Sequence, residues 1–236
     1  MISGLIGRKV AMTQIFDKDG NLVPVTVVEA GPCTVLELKE TPLKIKLGFG
    51  AVKETRVNKP ITGYYKKLGI APLKVMKEFK SKDNKDYKVG QEIKADFFKA
   101  GDFVDVSGIS IGKGFQGGMK RWHWKGGNAT RGSMHHRRIG AVSSGTDPSR
   151  IWKGKNMPGH MGARSRTVQG LRVMNVDLEN NLLLLKGTVP GNSKAIITIN
   201  RSFKRAFKAV DEVKVVVAKK VNPMKQSKAK ATGKGK

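Results

Sequence analysis

Acidic residues are scarce in this chain of 236 residues. Only 18 Asp and Glu stand against 46 Lys and Arg, a formal net charge of +28. Mixed charge ordinarily limits self-repulsion on an enzyme surface, so the imbalance points to a polyanionic partner: RNA, DNA or an anionic membrane. Cysteine is nearly absent. Cys33 stands alone, which excludes an internal disulfide and a thiolate zinc cluster and suits a reducing, cytoplasmic setting. Long apolar runs are missing as well: the longest, "NNLLLLKG", falls far short of the ~20 residues that span a bilayer. The opening "MISGLIGRKVAMTQIF" lacks an apolar core followed by a small-residue cleavage site, so no secretory signal is expected. A membrane-surface role needs a basic amphipathic helix with an aromatic face, whereas the basic residues here sit among glycines. No membrane partner is expected.

What is present is mostly strand pattern. "LIGRKVAMTQIF", the turn "DKDGN", "LVPVTVVEA" and the turn "GPC" read as β-structure within residues 1–56. "KIKLGFGA" alternates, with Ile45, Leu47, Phe49 and Ala51 on one face and Lys44, Lys46, Gly48 and Gly50 on the other, the period of a half-buried strand. "ITGYYKKLG" predicts a short helix ending at Gly69 before Pro72, and "LKVMKEFK" alternates again. About 60–95 therefore reads as an insertion or small subdomain beside the sheet. "GDFVDVSGIS" resumes the strand pattern, and strands return from Thr167 with "TVQGLRVMNVDLE", "LLLLKG" and "AIITI". Strands on both sides of residues 112–166 imply one sheet or barrel assembled from distant halves, 1–111 and 167–217. Residues 201–218 are ambiguous: Phe203, Phe207, Val210 and Val217 suit a helix, "VKVVV" a strand. The end, 218–236, is lysine-rich and without acids, and is expected to be a disordered basic tail.

Residues 112–166 differ abruptly. They hold twelve glycines, all three tryptophans, all four histidines and a single acid, Asp147. Aliphatic residues are few and follow no period, so the segment cannot bury a core of its own. It is either a disordered linker or an extended arm ordered by its partner, and three tryptophans are unexpected in a plain linker.

The chemistry that this segment could carry narrows quickly. Gly112, Gly114 and Gly117 form G-x-G-x-x-G after a strand. A dinucleotide site also needs a good helix next and an acid about 20 residues on; "GMKRWHWKGGNATRGS" is a poor helix and no acid precedes Asp147. The Walker pattern fails because Gly114 follows Lys113 where Ser or Thr belongs. His135 and His136 are adjacent, while His123 and His160 lack companions at ligand spacing, so no metal site is expected. No G-x-S-x-G elbow surrounds Ser107, Ser110, Ser143 or Ser144, and the pair Asp17 and Asp19 lies in a turn, where Asp is ordinary. The reading is of no catalytic residue, no cofactor and no small-molecule substrate: not an enzyme.

A polyanion reading uses what remains. Glycine lets backbone approach phosphates, Arg forks pair with phosphate oxygens, and Trp, His and Arg planes stack on unpaired bases. The electrostatic footprint is Lys113, Lys120, Arg121, Lys125, Arg131, Arg137, Arg138, Arg150, Lys153, Lys155, Arg164 and Arg166. Trp122, Trp124 and Trp152 are candidates for stacking, each with burial in a small core as the alternative. His123, His135, His136 and His160 complete the set. No helix-turn-helix, zinc finger or basic zipper is legible, so folded RNA suits an irregular Gly-rich arm better than duplex DNA.

The stretches "GLIGRKVAMTQIFDKDGNLVPVTVVEAGPC", "GKGFQGGMKRW", "KGKNMPGHMGARSRTVQGLRVMNVD" and "NNLLLLKGTVPG" resemble the universal L-three family of large-ribosomal-subunit proteins in its bacterial form, in order, from residue 1 to about 200. The resemblance implies a mainly β fold, a closed translation-protein-type β-barrel with an inserted small α/β subdomain and a long irregular basic extension. It implies binding to large-subunit ribosomal RNA, early in subunit assembly, with the arm running towards the peptidyl-transferase centre. It also implies L-fourteen and L-nineteen neighbours and a cytoplasmic location in the ribosome. The family's arm tip carries over onto Trp122 to Arg138 and onward to Met161. Three details depart from the usual pattern. Thr130, Arg131 and Gly132 replace a common Thr-His-Gly, and "SMHHRRIGAV" is one residue shorter before Gly140, Ala141 and Val142. Thr146 occupies the place of a glutamine that some members methylate, so that modification is not expected.

Overall fold

A computed structural model of the chain describes residues 2–17, 20–84 and 86–208. The chain is mainly β, as expected, with twelve strands and two α-helices among the described residues. Six strands close on one another in the order β1, β12, β7, β10, β11, β2. These are β1 (Gly4–Phe16), β2 (Leu22–Ala30), β7 (Phe103–Ile109), β10 (Ser165–Asp177), β11 (Leu182–Lys186) and β12 (Ile196–Arg201). Every neighbouring pair in this circuit is antiparallel.

Side-chain alternation decides which residues fill the interior. In β11 the continuous run of leucines resolves into two sides, with Leu183 and Leu185 buried and Leu182 and Leu184 half-buried. Leu5, Val28, Val104, Val106, Val173 and Ile199 meet them inside and are wholly buried. Each such side chain contributes roughly 1.5–3 kcal/mol on leaving water. The closure is tight where β1 meets β12: a Cβ on Gly4 would lie 2.1 Å from the Ile199 carbonyl oxygen. Lys9 is buried in the same wall and donates from Nζ to the carbonyls of Val189 (2.9 Å) and Gly191 (3.0 Å), tying the loop before β12 to β1.

A second sheet leaves the circuit between β2 and β7. Its order is β5, β4, β3, β6, built from β3 (Cys33–Lys39), β4 (Lys44–Ala51), β5 (Leu73–Lys80) and β6 (Glu92–Ile93). The sequence reading placed 33–59 in the barrel and began the insertion near 60. Strand pairing puts β3 and β4 with β5 and β6 instead. The predicted helix is present as α1 (Lys59–Leu68), with Gly69 closing it in the left-handed region at φ +65°. Tyr65 is buried beneath it and donates to the Leu73 carbonyl at 3.2 Å. The alternation of β4 holds for Ile45, Leu47 and Phe49, which are buried, and fails at Ala51, which is exposed. Ile45, Leu47, Phe49, Phe79 and Ile93 join Leu5, Ile6 and Val28 in a single apolar cluster, so the second sheet and the barrel share one core.

Cys33 sits in that core, its thiol near the Ile6 carbonyl at 3.3 Å. Burial pushes its pKa up to about 12. After Arg201 the chain is irregular through Lys208, with Phe203 and Phe207 exposed rather than on a helix. The rest of the ambiguous segment, with Val210 and Val217, and the expected tail 218–236 lie outside the described residues.

Candidate nucleic-acid interface

The arm departs where β7 and β10 stop being barrel wall. Their pairing runs as far as Ser165 opposite Ile109 and Arg166 opposite Gly108. Arg166 therefore stands on the barrel's own strand, and the arm's second boundary moves from 166 to 164. The two chains stay paired beyond the barrel. Ser110 N–H donates to the Arg164 carbonyl at 2.9 Å, and Lys113 N–H to the Met161 carbonyl at 2.9 Å. A narrow ribbon follows, β8 (Gly114–Gln116) against β9 (Gly159–Met161), with Phe115 opposite His160.

A five-residue helix, α2 (Gly118–Trp122), stands on this ribbon, ended by His123 in the left-handed region at φ +58°. The sequence marks this stretch as a poor helix, and one turn is all that "GMKRW" forms. G-x-G-x-x-G thus opens into an antiparallel ribbon and a single helical turn. A dinucleotide site needs a long helix crossing over to a parallel strand.

Two predicted contact residues act within the arm. Arg121 donates from Nη1 to the Met157 carbonyl at 2.5 Å, and Trp122 from Nε1 to the same oxygen at 2.8 Å. Together they clasp the outgoing and returning chains. Trp124 is half-buried and lies against Gly118, where a Cβ would come within 2.0 Å of its ring. Gly118 is the one buried residue between 112 and 166. For Trp124 the small-core alternative describes its surroundings, whereas Trp122 and Trp152 remain exposed, with Arg121 5.0 Å and Arg150 5.1 Å from their rings.

Beyond the clasp the chain is loop and turn. His136 Nδ1 lies 2.8 Å from the Asn128 carbonyl, and Gly127 N–H donates to the carbonyls of His135 and His136, which folds the tip onto itself. A cleft of about 640 Å³ opens there, lined by Trp124, Gly126, His135, Arg138, Gly140 and Lys155 among others. Of the nineteen predicted contact residues, seventeen are exposed: Lys113, Lys120, Trp122, His123, Lys125, Arg131, His135, His136, Arg137, Arg138, Arg150, Trp152, Lys153, Lys155, His160, Arg164 and Arg166. Arg121 and Trp124 are half-buried.

The electrostatics of the two regions differ. The ion pairs among the described residues lie on the barrel and second sheet: Arg8 with Glu29, Lys39 and Lys44 with Glu78, and Lys46 with Glu37. None of the arm's cations has an acidic partner among the described residues. Beside β10, Lys204 donates to Gln169 and the Arg205 guanidinium lies 5.4 Å from the Phe103 ring. These extend the basic surface in a place the sequence reading did not single out, because they follow the last strand rather than the glycine-rich stretch. Among the described residues, no group of three His, Cys, Asp or Glu could hold a metal ion, and no helix is long and apolar enough to cross a membrane.

The sequence has relatives among known proteins. The family model described as ribosomal protein L3 matches residues 52–180. The chain is 47% identical over 209 residues to the large ribosomal subunit protein uL3 of Brachyspira pilosicoli, covering 87% of this chain and 96% of that protein. It is 49% identical over 205 residues to the protein of the same name from Acetivibrio thermocellus, covering 85% and 97%. With a family match over more than half its length and relatives this similar over 85–87% of it, the chain belongs to the ribosomal protein L3 family.

Proposed function

We propose that this chain is a non-catalytic structural component of the large ribosomal subunit, cytoplasmic in the ribosome, which binds large-subunit rRNA and helps to nucleate its assembly. The observation that carries this reading is the arm: about a dozen cations, nearly all exposed and without acidic partners among the described residues, on a segment with one buried residue. Counterions released from RNA phosphates by such an arm favour binding, and glycine lets the backbone lie close to them.

In this reading the barrel is of the translation-protein type. It is assembled from both ends of the chain and carries the second sheet with α1 as an inserted unit. The barrel fixes the protein on the subunit, with L-fourteen and L-nineteen proteins as neighbours. The arm threads between RNA helices towards the peptidyl-transferase centre, where it acts only by positioning RNA. Arg121, Trp122 and Trp124 brace the arm, and the remaining predicted residues face RNA.

Sedimentation of a native lysate before and after a moderate-salt wash tests the reading. Retention with the large subunit through the wash is the expected result, since a threaded arm resists salt that strips surface-bound protein. Release into free or DNA-bound fractions would instead favour a general nucleic-acid packaging protein.

A further inference from the structure

At the root of the arm a concavity of about 220 Å³ is lined by Ser110, Ile111, Lys113, Met161, Gly162, Arg164 and Arg166. Three of the seven are cations and none is acidic. Arg164 and Arg166 flank Ser165, the first residue of β10, and both line the concavity from the returning chain. Lys113 reaches the concavity from the opposite chain of the ribbon, where its N–H is bonded to the Met161 carbonyl at 2.9 Å. All three cations are exposed, with no acidic partner among the described residues.

The backbone beneath them is held hard. Ser110 N–H donates to the Arg164 carbonyl at 2.9 Å, Arg164 N–H to Ser110 Oγ at 3.3 Å, and Ala163 N–H to the Ser110 carbonyl at 3.1 Å. Gly162 and Ala163 both lie at positive φ, +77° and +48°. Alanine rarely adopts that conformation, and such residues persist where their surroundings over-determine them, commonly at binding sites. A Cβ on Gly162 would meet the Ile111 carbonyl oxygen at 2.1 Å, so the approach of the two chains needs glycine there.

Resting on the RNA-binding reading above, we propose that Lys113, Arg164 and Arg166 converge on a single backbone phosphodiester of RNA at the arm's root. Two guanidinium forks and one ammonium supply donors from different directions, which suits a tetrahedral phosphate better than a planar carboxylate. The site anchors RNA at the pivot between barrel and arm, on backbone bonded rigidly to the barrel wall, while the tip's cations sit on loops.

The test is the salt dependence of binding between the full-length chain and a large-subunit rRNA transcript. Each phosphate neutralised contributes about 0.7–0.9 to the slope of log K against log salt. Removing all three charges together (Lys113→Gln, Arg164→Gln, Arg166→Gln) is expected to lower the slope by about that single increment. Each single variant is expected to leave most of it in place, because the two remaining cations still neutralise the shared phosphate. A fall of about 2 or more, with additive single effects, would mean three separate phosphates and overturn the proposal, as would no fall at all. Arg164→Lys and Arg166→Lys, which keep the charge, retain the slope and guard against misfolding. Inorganic phosphate at constant ionic strength tells the sources apart: binding unchanged at millimolar phosphate supports a phosphodiester, whereas one-for-one competition would assign the site to free phosphate. If the unmodified chain does not bind the transcript, the RNA reading fails as a whole, a result distinct from any slope change.

Discussion

The barrel and the arm share the strands β7 and β10 as their junction, and within eight residues along either strand the two become different kinds of structure. On the barrel side Val106 faces Val168 across the pair, and Val106 is wholly buried. On the arm side Gly114 to Gln116 face Gly159 to Met161, and none of these six is buried. The barrel shares one core with the second sheet and is held by burial. The arm is held by a handful of hydrogen bonds to backbone carbonyls and by one tryptophan on one glycine. Hydrogen bonds of this kind stabilise by only ~0.5–1.5 kcal/mol each, far less than a filled interior. The difference teaches where a partner is needed: the barrel is held by its own apolar surface, while the arm's cations have no acidic partner among the described residues, and in the proposed function RNA supplies that charge.

The strongest way to break this comparison is to remove one side of it. Ser110 and Arg164 are bonded neighbours, so residues 111–163 can be replaced by a short turn. The shortened chain is expected to keep a cooperative unfolding transition and to lose at least ~100-fold in affinity for large-subunit rRNA, the arm supplying most of the phosphate contacts. Calorimetry and filter binding read the two effects, and loss of the unfolding transition would show that the barrel depends on the arm.

Next in size is damage to the barrel alone. Ile199→Ala, at a wholly buried position, is expected to cost about 2–5 kcal/mol in chemical denaturation, with RNA affinity per folded molecule unchanged.

The converse test acts on the arm. Gly118→Val drives a branched side chain into the Trp124 ring. It is expected to shift tryptophan fluorescence and weaken RNA binding without moving the midpoint of barrel unfolding. A large fall in that midpoint would mean that the arm's small cluster supports the barrel.

The smallest effect concerns Cys33. Its thiol is buried and its pKa is raised from 9.0 to about 12. The group is mostly protonated in both states well below pH 9, ionises first in the unfolded chain, and so withdraws stability as pH rises from 9 towards 12. Alkylation by iodoacetamide at pH 8 is expected to be slow in the folded chain and fast in urea.

Much of this was legible in the residues themselves. Alternation marked β1, β2, β4, β5, β7, β10 and β12, and the glycine-rich composition of 112–166 marked the arm. Partner choice was not legible. β4 alternates as a barrel strand would, and nothing in its period tells that it pairs with β5 rather than with a strand of the circuit. The clasp was hidden for a similar reason. Arg121 and Trp122 looked like every other cation and aromatic of the arm, and their role depends on the carbonyl of Met157, about 35 residues away, which no side-chain pattern encodes. Arg166 was placed in the arm by composition and in β10 by its pairing with Gly108.

Hydrogen exchange on the full-length chain, free and bound to a large-subunit rRNA transcript, tests the central claim most directly. Amides of the barrel strands are expected to be protected in both states, with those of residues 125–156 exchanging quickly when free and becoming protected on binding. Equal protection of that segment with and without RNA would contradict the account, because the arm would then be ordered by the protein alone.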